Sequence, residues 1–332
     1  MQETRRAVLD ALADGPVSGP TLAERLDISR AAVWKHVEAL RAAGFGVASG
    51  GEGYVLDGVP EYGGPAIEFG LGAPFAVEYH DSLPSTNARA RELAAEGKGD
   101  VAVVADEQTG GRGRLDREWV SPPGSVLLSL VLRPDLPPAH VPLLTLSAAV
   151  ATTRTAREAG VDARIKWPND VLVVSGDGHD DGDDGRDNGD GGVNGDGDGE
   201  GTERKLAGIL TEMEGEADRA AWVVVGIGVN VEPEGLPAGA TGLREHASDL
   251  DRRVFVQRLL ETFDQLRAEP DAVLGAWREH AHTLGQQVRV ETPRGTIVGE
   301  ATDIAFPGTL VVETDDGPVE VHAGDCEHLR PA

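Results

Sequence analysis

Residues 176–203, from Gly176 to Glu203, set the first limit on how this chain can fold. Eleven of the 28 positions are Gly and eleven are Asp or Glu, and Val193 is the one aliphatic side chain. Such a stretch buries too little apolar surface to offset its chain entropy, so disorder is expected. Whatever folds around it must tolerate a long acidic excursion between Val174 and Lys205. The segment starting at Asn194 opens like a calcium-binding EF-hand loop, but its twelfth position is Lys205 where a bidentate Glu is needed. The tract also lacks the apolar residues that stack a calcium β-roll. It reads as a solvated insertion rather than a specific metal site.

Two further breaks divide the chain. Residues 57–65, DGVPEYGGP, hold two prolines and three glycines in nine positions and suggest a linker. After about Leu284 the pattern becomes short alternating runs separated by Gly and Pro turns, as in a small β-barrel. A length of 332 residues fits two or three domains at roughly 150 residues each. The expected plan is α+β, with an N-terminal domain at 1–60, a linker at 61–75, a central domain at 76–283 and a C-terminal β-domain at 284–332.

The formal charge is −27, and the acidic tract supplies −10 of it. A chain this acidic repels nucleic acid and anionic membranes at long range, so any DNA contact needs a local basic surface. Only four residues are lysine, namely Lys35, Lys98, Lys166 and Lys205. Acidity with Arg favoured over Lys suggests a halophilic source, because high net charge keeps proteins soluble in salt. Cys326 is the single cysteine, which excludes a disulfide framework and fits a reducing, cytoplasmic compartment. No apolar run reaches 18 residues, so no transmembrane helix and no membrane partner are expected. The acids and amphipathic spacing of the first fifteen residues do not read as a signal peptide.

The first 60 residues carry three helical patterns. Val8, Leu9 and Leu12 mark the first, Leu22 and Leu26 the second, and Val33, Val37 and Leu40 the third. Ser29 suits the N-cap of the third helix, and Gly44 its end. Two short strands around Gly50, Gly51 and Gly53 complete what resembles a winged helix-turn-helix. The third helix offers Arg30, Lys35, His36 and Arg41 against Glu38 alone, a charge balance that suits phosphate contacts and major-groove entry. A small helical domain for protein contacts is the competing reading.

The central domain carries the chemistry. Ser85, Thr86 and Asn87 stand at a predicted helix start, where free N–H groups and polar side chains offer contacts. A predicted buried strand at Val101–Ala105 then runs into Gln108-Thr-Gly-Gly-Arg112-Gly113-Arg114. Glycines let the backbone approach a ligand, and two arginines at i and i+2 can converge on phosphate or carboxylate. Trp119 follows, able either to pack in a core or to stack on a base. Lys166-Trp-Pro-Asn169-Asp170 places a cation, an amide and a carboxylate at a strand boundary, suited to phosphate and a divalent cation. Lys205-Leu-Ala-Gly208 opens another strand. Gly226 and Gly228 interrupt the apolar run that ends at Asn230, which suggests close approach by a ligand or another backbone.

Taken in order, STN, QTGGRGR with its tryptophan, KWPND, KLAGIL and GIGVN resemble the biotin–protein ligase family. The N-terminal module resembles that of its bifunctional class, which ligates biotin and represses transcription. The resemblance implies a central mixed-sheet α/β biotin/lipoyl-ligase domain, related to class II synthetases, and a C-terminal SH3-like β-barrel. It implies biotin contacts from Ser85, Thr86, Asn87, Gln108, Arg112, Gly113, Arg114 and Lys205. Nucleotide contacts would come from Arg112, Arg117, Trp119, Lys166, Asn169 and Asn230, and Asp170 would meet Mg²⁺. Arg114, Lys166 and Lys205 would carry the catalysis.

The implied reaction joins biotin to MgATP as biotinyl-5′-AMP and passes biotin to a lysine of a biotin carboxyl carrier protein, from an acetyl- or propionyl-CoA carboxylase. The implied regulation uses a ligand-promoted homodimer on operator DNA. One departure is Asp116, where the family commonly has a second glycine before Arg117. Two other functions stay open at this point. One is a biotin-sensing DNA-binding regulator without ligase activity, and the other is a lipoate or octanoate ligase of the same superfold.

Overall fold

Serine caps and a left-handed turn build the N-terminal unit. The computed structural model describes residues 2–114, 119–175 and 202–329. Helices α1 (Glu3–Ala13), α2 (Gly19–Arg25) and α3 (Arg30–Ala42) precede a hairpin of β1 (Gly46–Gly50) and β2 (Gly53–Gly58). Ser18 and Ser29 cap α2 and α3 by accepting from the N–H groups of Thr21 and Ala32. Asp27, with φ of 51°, makes the turn between them. Val8, Leu9, Leu12, Leu22, Val33, Val37 and Leu40 close one core together with Phe45 and Val47. The winged helix-turn-helix expected from the helical spacing is thus formed. Gly53 needs to be glycine, because its φ is +120° and an added Cβ would lie 2.3 Å from the Val17 carbonyl oxygen.

Residues 61–75, read as a linker, are a packed strap. They contain α4 (Gly64–Glu68), and its Ile67 is fully buried in the main core. Gln257 Nε2 donates to the carbonyls of Ile67 and Phe69, and the Phe69 ring meets Phe45 edge-on at 6.1 Å. The proline and glycine content read as a linker, but Ile67, Phe69, Leu71 and Phe75 supply apolar area that a free linker would not bury.

The central unit is a seven-stranded sheet. Its strands are β3 (Ala76–Leu83), β4 (Val101–Gln108), β5 (Val126–Leu132), β6 (Ala163–Lys166), β7 (Asp170–Ser175), β8 (Thr202–Gly215) and β9 (Ala220–Val229). Their order is β3-β4-β5-β9-β8-β7-β6, and only β3 and β4 run parallel. Alternation places Ala102 and Val104 in the main core and Val103 in a second cluster with Ala90 and Leu93 of α5 (Thr86–Ala95). Helices α6 (Pro142–Glu158), α8 (Arg252–Ala268) and α9 (Pro270–His280) contribute to the main core, and α7 (Leu243–His246) is a single turn. No described helix is long and apolar enough to cross a membrane.

The insertion read at 176–203 lies mostly outside the described residues, but its last two positions are ordered strand. Thr202 and Glu203 pair with Ser175 and Val174, so the two flanks of the acidic tract are neighbours in a β7–β8 hairpin. The earlier boundary erred because Thr202 and Glu203 continue the acidic composition while already joining the ladder.

The C-terminal unit contains β10 (Gln287–Thr292), β11 (Gly295–Ala305), β12 (Thr309–Thr314), β13 (Gly317–Val321) and β14 (Asp325–His328). All pairs are antiparallel, in the order β13-β12-β11-β10-β14. Among the described residues β13 and β14 are the two edges, so the C-terminal unit is an antiparallel five-stranded sheet with no paired closure. Val288, Val290, Ile304 and Leu310 join the same core as the central unit. Trp167 rivets the two units. It is 1% exposed, its Nε1 donates to the Gly308 carbonyl at 3.0 Å, and its backbone N–H donates to Thr283 Oγ1 at 2.9 Å. Trp167→Ala is expected to cost about 3–5 kcal/mol, as for other large core truncations. Urea unfolding measures this, and a loss below about 1 kcal/mol would contradict the assignment.

Candidate active site

A cavity of about 170 Å³ opens over the middle strands of the central sheet. Its floor is β8 and β9, at Gly208, Gly226 and Gly228. These glycines make room for side chains. A Cβ at Gly226 would stand 2.1 Å from Asn87 Oδ1, and one at Gly228 would stand 2.8 Å from the Trp119 ring. Gly208 has the Trp119 ring on the same side, with 3.0 Å to an added Cβ. The close approach expected at glycines within a buried strand is therefore made by Asn87 and Trp119, which themselves line the cavity.

One end of the cavity is a hydrogen-bonded network at the start of α5. Ser85 caps the helix by accepting from the Ala88 N–H. Gln108 Oε1 accepts from both the N–H and the hydroxyl of Thr86, at 2.7 and 3.0 Å. The Ser129 hydroxyl lies 2.7 Å from Thr86 Oγ1 and 2.6 Å from Asn87 Oδ1. Asn87 Nδ2 donates to Glu212 Oε2 at 2.8 Å. Thr86, Asn87 and Ser129 are all buried, so their polar groups are fixed in direction. Ser129 and Glu212 were not singled out from sequence. Ser129 had a signal, being the lone polar residue inside VLLSLVL; a buried strand keeps such a hydroxyl only with partners.

The other end carries the charge. Arg112, Gly113, Arg114 and Lys205 line it, together with Asn169, Asp170 and Asp325. Lys205 Nζ is 2.7 Å from Asp170 Oδ1 and 5.3 Å from the Trp119 ring centroid. Arg114 donates to Asn169 Oδ1 at 2.9 Å and to the Gly324 carbonyl at 2.8 Å, tying the glycine-rich loop to the C-terminal unit. The Trp119 indole N–H is buried and has no hydrogen-bond partner among the described residues. A buried orphan donor at a cavity wall is a position where a ligand acceptor would be stabilising.

Two expected site residues are placed elsewhere. Lys166 does not line the cavity; its Nζ is 3.7 Å from Glu203 Oε2. Its neighbours Trp167 and Asn169 point to the C-terminal unit and the cavity respectively; Lys166 is the register partner of Asp170 and shares its face of the sheet, but its ammonium reaches Glu203. Burial works to raise the Glu203 carboxyl, but hydrogen bonds to His282 and His328, with the charges of His328 and Lys166, hold it well below the usual carboxylate range. Asn230 is buried behind the site, where its Nδ2 donates to the Lys205 carbonyl at 3.2 Å and so holds the lysine's backbone. Arg117 and Asp116 lie outside the described residues.

The helix expected to meet DNA is only partly available. Arg30 and Lys35 are exposed on α3. Arg41 is not a free cation. It pairs with Glu38 at 2.7 Å and donates to the Val47 carbonyl and to Ser49 Oγ, bracing α3 against the wing. His36 is half-buried, and burial, with the Arg5 charge, lowers its pKa, so it stays neutral near pH 7. Trp34, unremarked in the sequence, is 56% exposed between Val33 and Lys35.

Three family models match the chain in succession. An HTH domain covers residues 4–62, the Biotin/lipoate A/B protein ligase family covers 79–230, and the Biotin protein ligase C terminal domain covers 283–329. The chain is 37% identical to the "Bifunctional ligase/repressor BirA" of Bacillus subtilis, over 94% of this chain and 93% of that protein. It is 30% identical to the protein of the same name from Escherichia coli, over 95% and 93%. A solved biotin protein ligase from Aquifex aeolicus, in complex with biotin and ATP, shares the fold with a TM-score of 0.58 at 24% identity, covering 77% of this chain and 99% of that one. A helix-turn-helix unit joined to a ligase-type sheet with a two-ended cavity defines the class. The chain belongs to the biotin protein ligase family, on the bifunctional ligase/repressor branch.

Gly226→Ala should cost about 1–3 kcal/mol in urea unfolding, because Asn87 must move out of its network. Gly275→Ala, in α9 with nothing within 4 Å of the new methyl, should be neutral or stabilising. Equal costs at the two positions would contradict the reading of the cavity floor.

Proposed function

We propose that the protein activates biotin with MgATP to biotinyl-5′-AMP, and then transfers biotin to a lysine of a biotin carboxyl carrier protein of an acetyl- or propionyl-CoA carboxylase. One observation carries the reading: a single cavity has a rigid neutral network at one end and Arg112, Arg114 and Lys205 at the other. The neutral end, with Thr86, Asn87, Gln108 and Ser129, suits the polar head of biotin, whose N–H and C=O groups need matched partners. The same buried polar end disfavours the apolar tail of lipoate or octanoate, which would leave those partners unsatisfied.

In the first step a biotin carboxylate oxygen attacks the α-phosphorus and pyrophosphate leaves. In the second, the acceptor amine attacks the acyl carbon and AMP leaves. Neither step needs a protein nucleophile. Negative charge grows on phosphorus oxygens, and the cations at the charged end stabilise it in a partly dehydrated cavity. Lys205, held by Asp170 in the free site, would exchange that carboxylate for the substrate's. Asn230 would act by fixing the Lys205 backbone, and Trp119 by meeting the adenine. Asp170 and Asp325 are carboxylates of the lining suited to the magnesium that ATP brings. Arg117 would add a contact from the ligand loop. Lys166 has a supporting role in this account, through Glu203.

The N-terminal unit is proposed as a biotin-responsive operator-binding module acting as a ligand-promoted homodimer. Its DNA contacts would come from Arg30 and Lys35, with Arg41 bracing the wing. The C-terminal sheet is read as the SH3-like module of the family, helping with ATP and acceptor docking.

The test is incubation with biotin, MgATP and a carrier domain in molar salt, with acceptor mass as readout. The acceptor should gain one biotin, and Lys205→Ala should slow this by about 10²-fold or more. Absence of both pyrophosphate release and biotin transfer would favour the regulator without ligase activity. Lys35→Ala should weaken binding to operator-like duplexes and lower the slope of affinity against salt by about one. An unchanged slope would remove α3 from the interface.

A further inference from the structure

A second cluster of chemically capable side chains lies outside the cavity, where three elements meet. Glu203 opens β8, His282 follows α9, and His328 ends β14. Glu203 Oε1 is 2.7 Å from His328 Nδ1 and 3.1 Å from His282 Nε2. One donor atom from each residue falls within 4.8 Å of the others, and all three residues are half-buried. The imidazole centroids are 5.3 Å apart with planes inclined at 64°.

The surroundings orient the set. His328 Nε2 is 3.1 Å from Thr283 Oγ1, and that oxygen also accepts the Trp167 N–H at 2.9 Å. The ring is therefore held from behind with Nδ1 turned to the carboxylate, the arrangement by which an outer hydrogen bond fixes a ligating histidine. Lys166 occupies only the far oxygen, Oε2, at 3.7 Å, which leaves Oε1 to the two rings.

We propose that Glu203, His282 and His328 form a binding site for a borderline transition-metal ion such as Zn²⁺, clipping the C-terminal sheet to the central unit. Two imidazoles and one carboxylate suit Zn²⁺ or Co²⁺, whereas Mg²⁺ and Ca²⁺ prefer oxygen donors throughout. Bonds of about 2.0–2.2 Å require ligand atoms roughly 3.3 Å apart in a tetrahedral set. From 2.7 and 3.1 Å, the carboxylate oxygen needs to draw back from the two nitrogens by about 0.6 and 0.2 Å to admit the ion. Three protein ligands leave a fourth position for water. The Lys166 ammonium opposes the ion, so affinity falls below that of a closed structural zinc site. The ion would add a bond between units already joined by Trp167 and Arg114. The proposal is independent of the ligase reading.

The test uses the full chain, stripped with chelator, dialysed and titrated with Co²⁺ in excess Mg²⁺. The magnesium occupies the diffuse charge of the acidic tract. One Co²⁺ should bind per chain with the visible bands of a nitrogen-ligated ion, and the unfolding midpoint should rise. His328→Gln and His282→Gln should each weaken binding at least about tenfold and abolish the rise in midpoint. Metal-free circular dichroism checks the fold of each variant; should His328→Gln fail to fold, His282→Gln carries the comparison. Absence of visible bands overturns the proposal, and so does Co²⁺ binding that survives the substitution. Either result would leave the cluster as a hydrogen-bonded clamp.

Discussion

No side chain can stand at positions 208, 226 and 228 without displacing the groups above it. Everything else in the cavity depends on that bare strip of sheet. With it, Asn87 and Trp119 can lie against the backbone of β8 and β9, and their polar atoms are held at fixed places. Interiors packed to crystal-like density have no slack for even one methyl, so the strip works as a template rather than as open space. The Ser129 hydroxyl completes the arrangement from the neighbouring strand β5.

The charged end follows from the β7–β8 hairpin. Antiparallel pairing of these strands brings Asp170 beside Gly208 and sets Lys205 across from Leu172, so the KWPND and KLAG segments meet although the acidic tract separates them in sequence. A chain of net charge −27 thereby keeps a cationic pocket of its own. The pocket is local, with Asp170 on Lys205 and Asn169 on Arg114, and its cations are short-range partners for a bound anion rather than a long-range lure. Arg114 and Trp167 link the same region to the C-terminal sheet, which couples the ligand loop to the third unit of the chain.

Much of this was legible in the residues. The helical spacing of Val33, Val37 and Leu40 and the Ser29 cap gave the third helix, because local rules govern local structure. The cavity's Thr86, Asn87, Gln108, Arg112, Arg114, Trp119, Asn169, Asp170 and Lys205 were all singled out, and the structure gathers them around one space. What escaped depended on long-range packing. Residues 61–75 read as a linker by composition, yet Ile67 is buried by α8, a helix nearly 200 residues away. Arg41 read as a DNA cation, but the wing carbonyl of Val47 takes its guanidinium. Lys166 read as a phosphate ligand; it shares the sheet face of Asp170, and its ammonium lies 3.7 Å from Glu203, a partner that the KWPND spacing does not reveal. Ser129 and Glu212 join the cavity network only through Thr86 and Asn87 of α5, which spacing along one strand does not reveal. The alternating runs after Leu284 marked the C-terminal strands, but which strands form the sheet edges depends on pairing that such runs do not encode.

The central claim is that one ligand spans the neutral and the charged ends of this cavity. A crystal structure with a non-hydrolysable biotinyl-adenylate analogue tests it directly. The account predicts continuous density from the Asn87–Ser129 network to Arg114 and Lys205, with Lys205 withdrawn from Asp170. Density confined to one end, or lying over another face of the sheet with the Lys205–Asp170 pair intact, would contradict it.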